Sequence, residues 1–491
     1  MSAEPSGARL EALRALARPG PFRRLITAQA LSQLADGLYQ IALADALIFS
    51  VEAARTPARV TQLLAVTYLP FSLVAPFTGP FIDRFSRRSI LVGAKVLMAV
   101  LTLLMIPARS WPEGVLLGLI VMNVSINRFF HSTKNAVLPS LVEPERYLLA
   151  NSVSTTTGMI TALGGAVIGS LLVDAISPVV GLAAGAAAMS ASALLAATLR
   201  LPRGEKRGLA GIVSELRENL RDVAEGMRVL QGSAQALYGV VAIWSMRALL
   251  GLVLLAALVL LRAEFDIGTA GFSQIWVALG VGGFAGAVLV TPAARRLGYR
   301  GVAPVAMVVG AVAALIGAPI PSMAVLLPVM FVQGVAMSAT KIASDTLVQR
   351  GVPDRFRGRA FTVYDLGYNG AFVLAGLIPT ALRPAFGDLG VILFTAGLGL
   401  VTALFLAAWR RRVPEPVEVR SYAGSRGDEV PRQVVLQGDT FEVAEVERTW
   451  REDRNGERLL CFRLRLEGGR RIQVSLGETW RLDRELARSS I

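Results

Sequence analysis

Twelve apolar stretches, each long enough to cross a lipid bilayer as a helix, limit the fold of this chain more than any other feature of its sequence. The hydrocarbon core of a bilayer is about 30 Å thick and takes roughly 20 helical residues. Of the 491 residues, 53% are hydrophobic and 18% are charged, a balance that would leave soluble domains with more apolar surface than their cores could bury. The sequence therefore predicts an all-α membrane protein with twelve transmembrane helices. The stretches cover residues 24–50, 60–82, 90–107, 114–137, 149–173, 179–199, 236–261, 271–293, 302–319, 323–347, 360–382 and 389–409.

The formal net charge of +14 lies in short basic clusters between the apolar stretches. A nucleic-acid-binding protein gathers such an excess on one solvated face, so we expect no nucleic-acid partner. Basic residues near the ends of membrane helices stay on the cytoplasmic side. With an even number of spans, 26 Arg and Lys residues fall on the side of both termini and 5 on the other side. The sequence thus predicts a multi-pass protein of the cytoplasmic membrane with both termini in the cytoplasm.

The sequence offers little of the chemistry that enzymes and metal sites use. Its single cysteine, Cys461, and single histidine, His131, exclude an internal disulfide and a His-rich metal site. None of its four lysines follows a glycine, so the phosphate-binding GxxxxGK(S/T) loop is absent. The G-x-S-x-G and H-E-x-x-H patterns of hydrolases and metalloproteases do not occur either. We therefore expect a protein that is not an enzyme and that holds no cofactor and no metal.

The chain contains an internal repeat. Residues 80–88, after the second stretch, correspond to residues 292–300 after the eighth, at an offset of 212, and residues 143–147 correspond to 352–356, at an offset of 209. Two similar offsets predict tandem six-helix halves of the same orientation, as in the parallel repeats of some secondary transporters. We therefore expect two pseudo-symmetric six-helix bundles. The predicted organisation is a cytoplasmic leader (1–23), an N-terminal bundle (24–200), a linker (201–235), a C-terminal bundle (236–412) and a small β domain (413–491).

The two segments outside the bundles carry their own patterns. In the linker, apolar residues between positions 213 and 230 recur at alternating spacings of three and four, which predicts an amphipathic helix packed on the inner surface of the bundles. After the last span, period-two runs such as residues 440–443 and 460–466 predict strands. Turn residues at 453–456 and 468–469 separate these strands into a small antiparallel β domain.

Residues 79–88 connect the chain to a known family. Their sequence, GPFIDRFSRR, is similar to the G-x-x-x-D-R-x-G-R-R signature of the major facilitator superfamily, with Ser86 in place of the glycine. Residues 138–151 and 349–359 resemble the corresponding segments of its drug and siderophore exporters, the group that includes the enterobactin exporter. The resemblance covers residues 20–412 and implies a monomeric secondary transporter that works by alternating access. It also implies a gating loop that contains Gly79, Asp83, Arg84, Arg87 and Arg88.

Ionisable residues inside the apolar stretches cluster on particular spans. Each costs about 2.5–3.5 kcal/mol at mid-depth on insertion scales, so their positions are informative. They fall mainly on the first, fourth, seventh and tenth spans, with Lys95 and Asp365 outside this set. In the family that the sequence resembles, these four spans line the central cavity. We therefore predict a polar pathway for protons and substrate through Asp36, Gln33, Gln40, Asn127, Arg128, His131, Arg247, Lys341 and Asp345.

Asp36 is the central residue of this predicted pathway. At about 100° per residue, it lies with three glutamines on one narrow polar stripe of the first helix. A rise of about 1.5 Å per residue places Asp36, Arg128 and Arg247 roughly 14–18 Å from the inner ends of their spans, near the midplane. Our hypothesis is that Asp36 is a protonatable coupling group paired with Arg128 or Arg247, so that proton and substrate compete. The alternative is a permanent ion pair that only holds helices together.

Two other groups have simpler interpretations. Lys341 and Asp345 are four residues apart on one helix, so we expect them to neutralise each other, with substrate contact as the alternative. His131 could shuttle protons, although a single histidine on a polar helix face is more often only hydrogen-bonded.

These patterns favour a twelve-helix secondary transporter with a cytoplasmic β domain. We expect it to move a small, amphipathic, drug- or siderophore-like solute outward in exchange for protons, in contact with membrane lipids. Two alternatives stay open. One is a lipid or lysolipid translocator, and the other is a membrane sensor whose transporter-like body signals through residues 413–491.

Overall fold

The computed structural model is helical through most of residues 21–409 and consists of strands beyond them. It describes residues 18–44, 62, 65–66, 70, 74, 78, 85–108, 110–143, 146–201, 212–264, 269–317, 322–413, 415–416, 418–423, 429–436, 439–454, 457–467, 469–476 and 480–486. The helices are α1 (Pro21–Ala44), α2 (Arg87–Ala108), α3 (Glu113–Val137), α4 (Tyr147–Ala175), α5 (Pro178–Ala197), α6 (Ile212–Gly232), α7 (Ala234–Glu264), α8 (Thr269–Leu297), α9 (Tyr299–Gly317), α10 (Met323–Gly351), α11 (Asp354–Ala375) and α12 (Leu377–Trp409).

Ten helical segments in the described part of the chain are long and apolar enough to cross a bilayer. They correspond to the third to twelfth predicted spans and confirm a predominantly helical membrane protein. α1 covers residues 24–44 of the first predicted span, whose remainder lies outside the described residues, and it is less apolar because glutamines and Asp36 interrupt its sequence. The second span, residues 60–82, lies almost entirely outside the described residues, and its few described positions are helical. The total of twelve therefore stays a prediction.

The boundary between the eleventh and twelfth spans is a single glycine within α12. Gly387 has φ +65° and ψ −175°, a left-handed conformation that glycine adopts without the steric cost of a Cβ. The break falls between the predicted spans 360–382 and 389–409. One helix direction therefore ends and the next begins without a long connecting loop.

The helices pack as two bundles. α1 packs against α4 and α5, and α2 packs against α3 and α5, while α10 packs against α7, α8 and α9. Among the described membrane helices, each buried apolar cluster draws its members from one bundle only. α2 begins at Arg87 and α9 at Tyr299, which reproduces the offset of the sequence repeat. Each half of the chain thus has its own core.

Large apolar side chains cover the outward faces of the bundles. Leu194 is 73% and Leu404 is 71% exposed, and Leu97 and Leu104 on α2 are exposed in the same way. A soluble monomer seldom presents such an extended apolar surface to water. In a bilayer these side chains face acyl chains, as the hydropathy of the sequence requires.

The linker helix α6 is attached to the C-terminal bundle. It packs against α11, where Nε of Arg359 lies 2.9 Å from Oδ1 of Asp222 and Nη1 lies 2.5 Å from Oε2 of Glu225. Gly226 lies directly against the backbone of Arg359, where a side chain would overlap the carbonyl oxygen. The linker helix is therefore positioned by one arginine and one close backbone approach.

The strands after α12 form one antiparallel sheet, which we call the barrel because its two edge strands follow each other along the chain. The sheet order is β1-β7-β6-β5-β4-β3-β2, with every described pair antiparallel. β1 and β2 are separated by one residue yet lie at opposite ends of this order, so the two edges of the sheet meet. Its interior includes Val434, Leu464 and Val474, each fully buried. The strands are β1 (Glu415–Pro416), β2 (Glu418–Ala423), β3 (Glu429–Leu436), β4 (Asp439–Arg454), β5 (Glu457–Leu466), β6 (Arg471–Leu476) and β7 (Trp480–Leu486).

Arg300 holds the junction between the last membrane helix and the barrel. Its Nη1 donates hydrogen bonds to the carbonyl oxygen of Arg410, at 3.1 Å, and to that of Val413. Oη of Tyr238 donates to the carbonyl oxygen of Arg300 at 2.7 Å, and the Tyr238 ring contacts Trp409 edge-on with 5.4 Å between ring centres. The start of the barrel is thereby fixed to α7 and α9.

Candidate functional site

A chain of polar side chains, buried at Asp36 and Lys95 and half-buried at Asn127 and His131, crosses the N-terminal bundle. Asp36, on α1, is 7% exposed, and its Oδ2 accepts a hydrogen bond of 3.0 Å from Nδ2 of Asn127 on α3. Oδ1 of Asn127 in turn accepts one of 2.9 Å from Nζ of Lys95 on α2. Nε2 of His131 lies 3.9 Å from Oδ2 of Asp36. One amide therefore bridges a carboxylate and an ammonium group inside the bundle.

Two contacts fix the helices that carry this network. On α3, Nδ2 of Asn123 donates hydrogen bonds to the carbonyl oxygen of Met98, at 3.2 Å, and to Oγ1 of Thr102, at 3.1 Å, both on α2. On α1, Gly37 lies so close to α4 that a Cβ would overlap the carbonyl oxygen of Ala162. Small residues allow such close helix approach within membranes. The position of Asp36 is thus set by backbone packing next to it.

Lys95 is the residue of this network that the sequence prediction missed. It is fully buried, with Nζ 3.3 Å from Sδ of Met98 and 4.4 Å from the centre of the Phe130 ring. An aromatic face attracts an ammonium group most strongly where water is excluded. Lys95 and Asp36 also attract each other through their charges. The available signal was a lysine inside an apolar stretch of a chain with only four lysines.

The predicted pairing of Asp36 with Arg128 or Arg247 was wrong. Within the described residues, Asp36 is reached by the amide, imidazole and ammonium groups given above. Arg128 follows Asn127 directly, and adjacent residues of a helix point about 100° apart, so Arg128 lies off the helix face that Asn127 presents to Asp36. The charge of Arg128 instead attracts Asp365 on α11, across the boundary between the bundles.

The C-terminal bundle places two cations on the aromatic face of α11. Tyr364, Tyr368 and Phe372 follow one another at intervals of four residues. Cζ of Arg247 lies 4.6 Å from the ring centre of Tyr368 and 4.2 Å from that of Phe372. Nζ of Lys341 lies 4.9 Å from the ring centre of Tyr364. This row of three aromatic rings was not predicted, although its spacing of four residues is visible in the sequence.

The pair Lys341–Asp345 forms as its spacing on α10 suggested. Nζ of Lys341 donates to Oδ1 of Asp345 at 2.8 Å and to Oδ2 at 2.7 Å. The two side chains are 34% and 28% exposed, so solvent reaches the pair and weakens it relative to a dry ion pair. A substrate could therefore reach these charges.

The bundles contact each other where α4 ends and α8 begins. Oγ of Ser273 donates a hydrogen bond of 3.0 Å to Oγ of Ser170. Closer to the middle of the same helix pair, a Cβ on Gly280 would meet the side chain of Leu163 at 2.6 Å. By the predicted topology, this contact lies toward the outer face of the membrane.

A cavity of about 410 Å³ opens near the other end of the N-terminal bundle, the predicted cytoplasmic end. It lies between α1, the end of α3 and the start of α4. Gln33, a residue of the predicted pathway, is part of its wall. The lining residues are Gln29, Gln33, Lys134, Asn135, Leu138, Tyr147, Asn151 and Thr155.

The remaining predicted residues lie apart from these groups or outside the described residues. Gln40, one turn beyond Asp36, is exposed. Arg87, at the start of α2, donates from Nη1 to the carbonyl oxygen of Ala136 at 3.2 Å and so braces α2 against the end of α3, whereas Arg88 is exposed. The gating role stays a prediction, since the structure does not describe Gly79, Asp83 and Arg84.

The groups gathered around Asp36 can change their charge by taking up or releasing a proton. A buried carboxylate lies beside an imidazole and one amide away from an ammonium group. The site therefore contains groups whose charge depends on their protonation, and these groups lie on separate helices. Such a site can tie protonation to helix movement.

Known proteins similar to this chain are membrane transporters. The family of transmembrane secretion effectors designated MFS_3 matches residues 14–438. An uncharacterized MFS-type transporter of Mycobacterium tuberculosis is 32% identical over 409 residues, which cover 77% of this chain and 89% of that protein. The 4-hydroxybenzoate transporter PcaK of Pseudomonas putida is 26% identical over 192 residues, 38% of this chain and 42% of that protein.

Solved structures share the fold. A bacterial homologue of the human lysosomal transporter Spinster, in an inward-facing and unoccupied conformation, matches with a TM-score of 0.60 at 14% identity. The match covers 80% of this chain and 98% of that one. At this identity the likeness shows the fold alone. The relatives and structural neighbours named here are transporters, which confirms that the chain is not an enzyme.

Proposed function

We propose that this chain, which belongs to the major facilitator superfamily of membrane transporters, exports a small amphipathic solute in exchange for protons. The observation that carries the proposal is the buried carboxylate of Asp36, held by Asn127 inside a helical bundle. A carboxylate at membrane depth is costly, and such groups commonly mark ion and substrate routes. The resemblance of two segments to drug and siderophore exporters supports the outward direction.

Protonation of Asp36 is the coupling step in this proposal. The ionised carboxylate attracts Lys95 and accepts the hydrogen bond of Asn127, and both interactions weaken when a proton arrives. Oδ1 of Asp36 has no hydrogen-bond partner within the described residues, so it is the oxygen placed to take the proton. His131 lies beside the same carboxylate, with Nε2 3.9 Å from Oδ2. Protonation releases α1 from α2 and α3. A protonation-dependent bias between two arrangements is what alternating access requires.

Replacing Asp36 with Asn is expected to abolish gradient-driven transport and to leave the fold intact. Asparagine has the same shape and can still accept a hydrogen bond from Asn127, but it takes up no proton. The measurement is accumulation of radiolabelled solutes in inside-out vesicles with an acidic lumen. The panel contains ethidium as a cation and 4-hydroxybenzoate, the solute named for PcaK, as an anion. We expect the wild-type protein to accumulate at least one solute, and a protonophore to collapse that accumulation.

Counterflow exchange of the same solute without a gradient is the control for this variant. It needs binding and alternating access but no net proton movement, so it should persist after Asp36→Asn. A weak acid leaves an acidic compartment passively, and therefore its accumulation there requires a carrier. Undiminished accumulation by the variant would favour a structural role for Asp36. If no solute of the panel accumulates with the wild-type protein under gradients of either sign, the transport proposal fails.

Removal of residues 414–491 separates transport from the sensor alternative. The barrel has its own core, and Arg300 still caps the carbonyl oxygen of Arg410 after the deletion. We therefore expect solute accumulation in the same vesicles to survive at close to the wild-type level. Loss of accumulation from a truncated protein that still purifies as a folded monomer would show that the barrel is needed for the membrane domain to work.

A further inference from the structure

Lys134 is a buried cation on the wall of the cavity between α1, α3 and α4. It is 7% exposed, and its Nζ donates a hydrogen bond of 3.1 Å to Oγ of Ser154. Oγ of Ser154 donates to Oε1 of Gln29 at 2.7 Å, and Nε2 of Gln29 donates to the carbonyl oxygen of Ser154 at 2.8 Å. The oxygen that accepts from the ammonium group is therefore a neutral hydroxyl, which Gln29 holds in place. No acidic residue is among those that line the cavity.

The other two lysines in the described part of the chain differ from Lys134 in this respect. Lys341 contacts the carboxylate of Asp345, and Lys95 is joined to Asp36 through one amide. Within the described residues, no ion pair with a carboxylate neutralises Lys134. A buried cation without a counter-charge is costly. An anion in the adjoining cavity would remove that cost.

The start of α4 adds a second feature that favours an anion. α4 begins at Tyr147, and the side chain of the preceding residue, Arg146, does not cap the N-terminus of the helix. Tyr147 and Asn151, in its first two turns, are part of the cavity wall. The free N–H groups and the positive end of the helix dipole at such a terminus attract anions. The ammonium group and the helix terminus thus act on the same space.

The rest of the wall supplies hydrogen-bond donors and room. The side-chain amides of Gln33, Asn135 and Asn151 contribute donors. Gly158 on α4 leaves the space that Gln33 occupies, because a Cβ there would overlap Oε1 of Gln33. A volume of about 410 Å³ lies within the roughly 300–1,000 Å³ typical of small-molecule sites.

We propose that this cavity binds the anionic group of the transported solute, a carboxylate or a phosphate monoester, with Lys134 as its counter-charge. The solute is accordingly an anion, an inference that rests on the transport function proposed above. The same oxyanion can belong to a soluble molecule or to a lipid headgroup. His131 lies one turn from Lys134 on α3, so an anion bound here lies close to the Asp36 network.

The test measures binding without any gradient, which keeps it separate from the transport assay. The full-length protein is placed in phosphatidylcholine nanodiscs, and its unfolding temperature is followed against the concentration of benzoate, of inorganic phosphate and of benzamide. Benzamide has nearly the shape of benzoate but no charge. A ligand of the native state raises the unfolding temperature in a saturable way. We expect benzoate and phosphate to do so and benzamide to have no effect.

Three variants assign the effect to the cavity. Lys134→Gln should weaken benzoate binding by about tenfold or more, equivalent to about 1.4 kcal/mol, whereas Lys134→Arg keeps the charge and should bind within a few-fold of the wild type. Asn151→Asp places a carboxylate beside the lysine at an exposed position and should also weaken binding. If Lys134→Gln does not fold, the comparison of Asn151→Asp with the wild type decides the question.

The lipid composition of the nanodiscs distinguishes a lipid headgroup from a soluble molecule as the source of the bound oxyanion. If phosphatidic acid in the nanodiscs, whose headgroup is a phosphate monoester, weakens benzoate binding more than the same proportion of phosphatidylglycerol does, the cavity accepts a lipid headgroup, and if it does not, the cavity takes a soluble anion. Equal binding of benzoate and benzamide, undiminished binding by the folded Lys134→Gln and Asn151→Asp variants, or no binding of either anion by the wild type would overturn the proposal. Intact anion binding together with no solute accumulation would instead count against transport.

Discussion

Oxidation of a Ser170→Cys, Ser273→Cys double variant is expected to abolish transport by joining the two bundles. The serine hydroxyl oxygens are 3.0 Å apart, which places the two side chains close enough to be joined. A disulfide needs Cβ atoms roughly 3.5–4.5 Å apart. We therefore expect cysteines at these two positions to form a disulfide on oxidation with copper phenanthroline. Transport by alternating access requires this end of the bundles to separate in the opposite state. We expect solute accumulation to fall to the level of protein-free vesicles as crosslinking proceeds, and dithiothreitol to restore it.

The background for this experiment is favourable. The single native cysteine, Cys461, is buried in the barrel, and a protease site inserted between residues 202 and 211 makes a crosslinked chain run as one band after cleavage.

A matched pair within one bundle is the control. Oγ1 of Thr78 and Oγ of Ser132 are 3.3 Å apart, and their cysteine variants should crosslink without tying the bundles together. Normal transport by a fully crosslinked Ser170, Ser273 variant would contradict separation at this end.

The helical segments and the ion pair on α10 could be predicted because their signals are local. Hydropathy along a stretch of about 20 residues identifies a membrane helix, and a spacing of four places Lys341 beside Asp345 whatever the rest of the chain does. The strands β4 and β5 carried a clear period of two as well. Closure of the barrel could not be predicted, since pairing of β1 with β7 joins opposite ends of the domain.

The partners of Asp36 could not be predicted, because they depend on which faces of three helices meet. Arg128 and Arg247 were candidate partners because they lie at a depth in the membrane similar to that of Asp36, but depth does not show which way a side chain points. Asn127 faces Asp36 and accepts a hydrogen bond from Lys95, although Lys95 lies on a span outside the predicted pathway. Asp365, also outside the predicted set, meets the charge of Arg128 from the other bundle. A list of ionisable residues in a sequence thus identifies the participants more reliably than their pairs.

The glycines of α4 show the same limit and lead to a sharp prediction. Gly164 and Gly165 are neighbours and equivalent in sequence terms. In the structure a Cβ on Gly165 would overlap the carbonyl oxygen of Leu34 on α1, whereas a Cβ on Gly164 meets nothing within 4 Å. Replacing Gly165 with Ala is therefore expected to destabilise the protein by about 1–3 kcal/mol or more, the usual range for overpacking against a rigid neighbour.

Gly164→Ala is the matched control, and its effect should have the opposite sign. Alanine is the better helix former by about 0.5–1 kcal/mol, so this variant should melt slightly above the wild type and Gly165→Ala well below it in detergent. Displacing α1 at Leu34 also displaces Asp36, two residues further along, relative to Asn127 on α3. Gradient-driven accumulation should consequently fall in Gly165→Ala, even per folded molecule. If both variants melt and transport alike, α1 does not meet α4 at this glycine, and the helix contact that positions Asp36 has to be sought elsewhere.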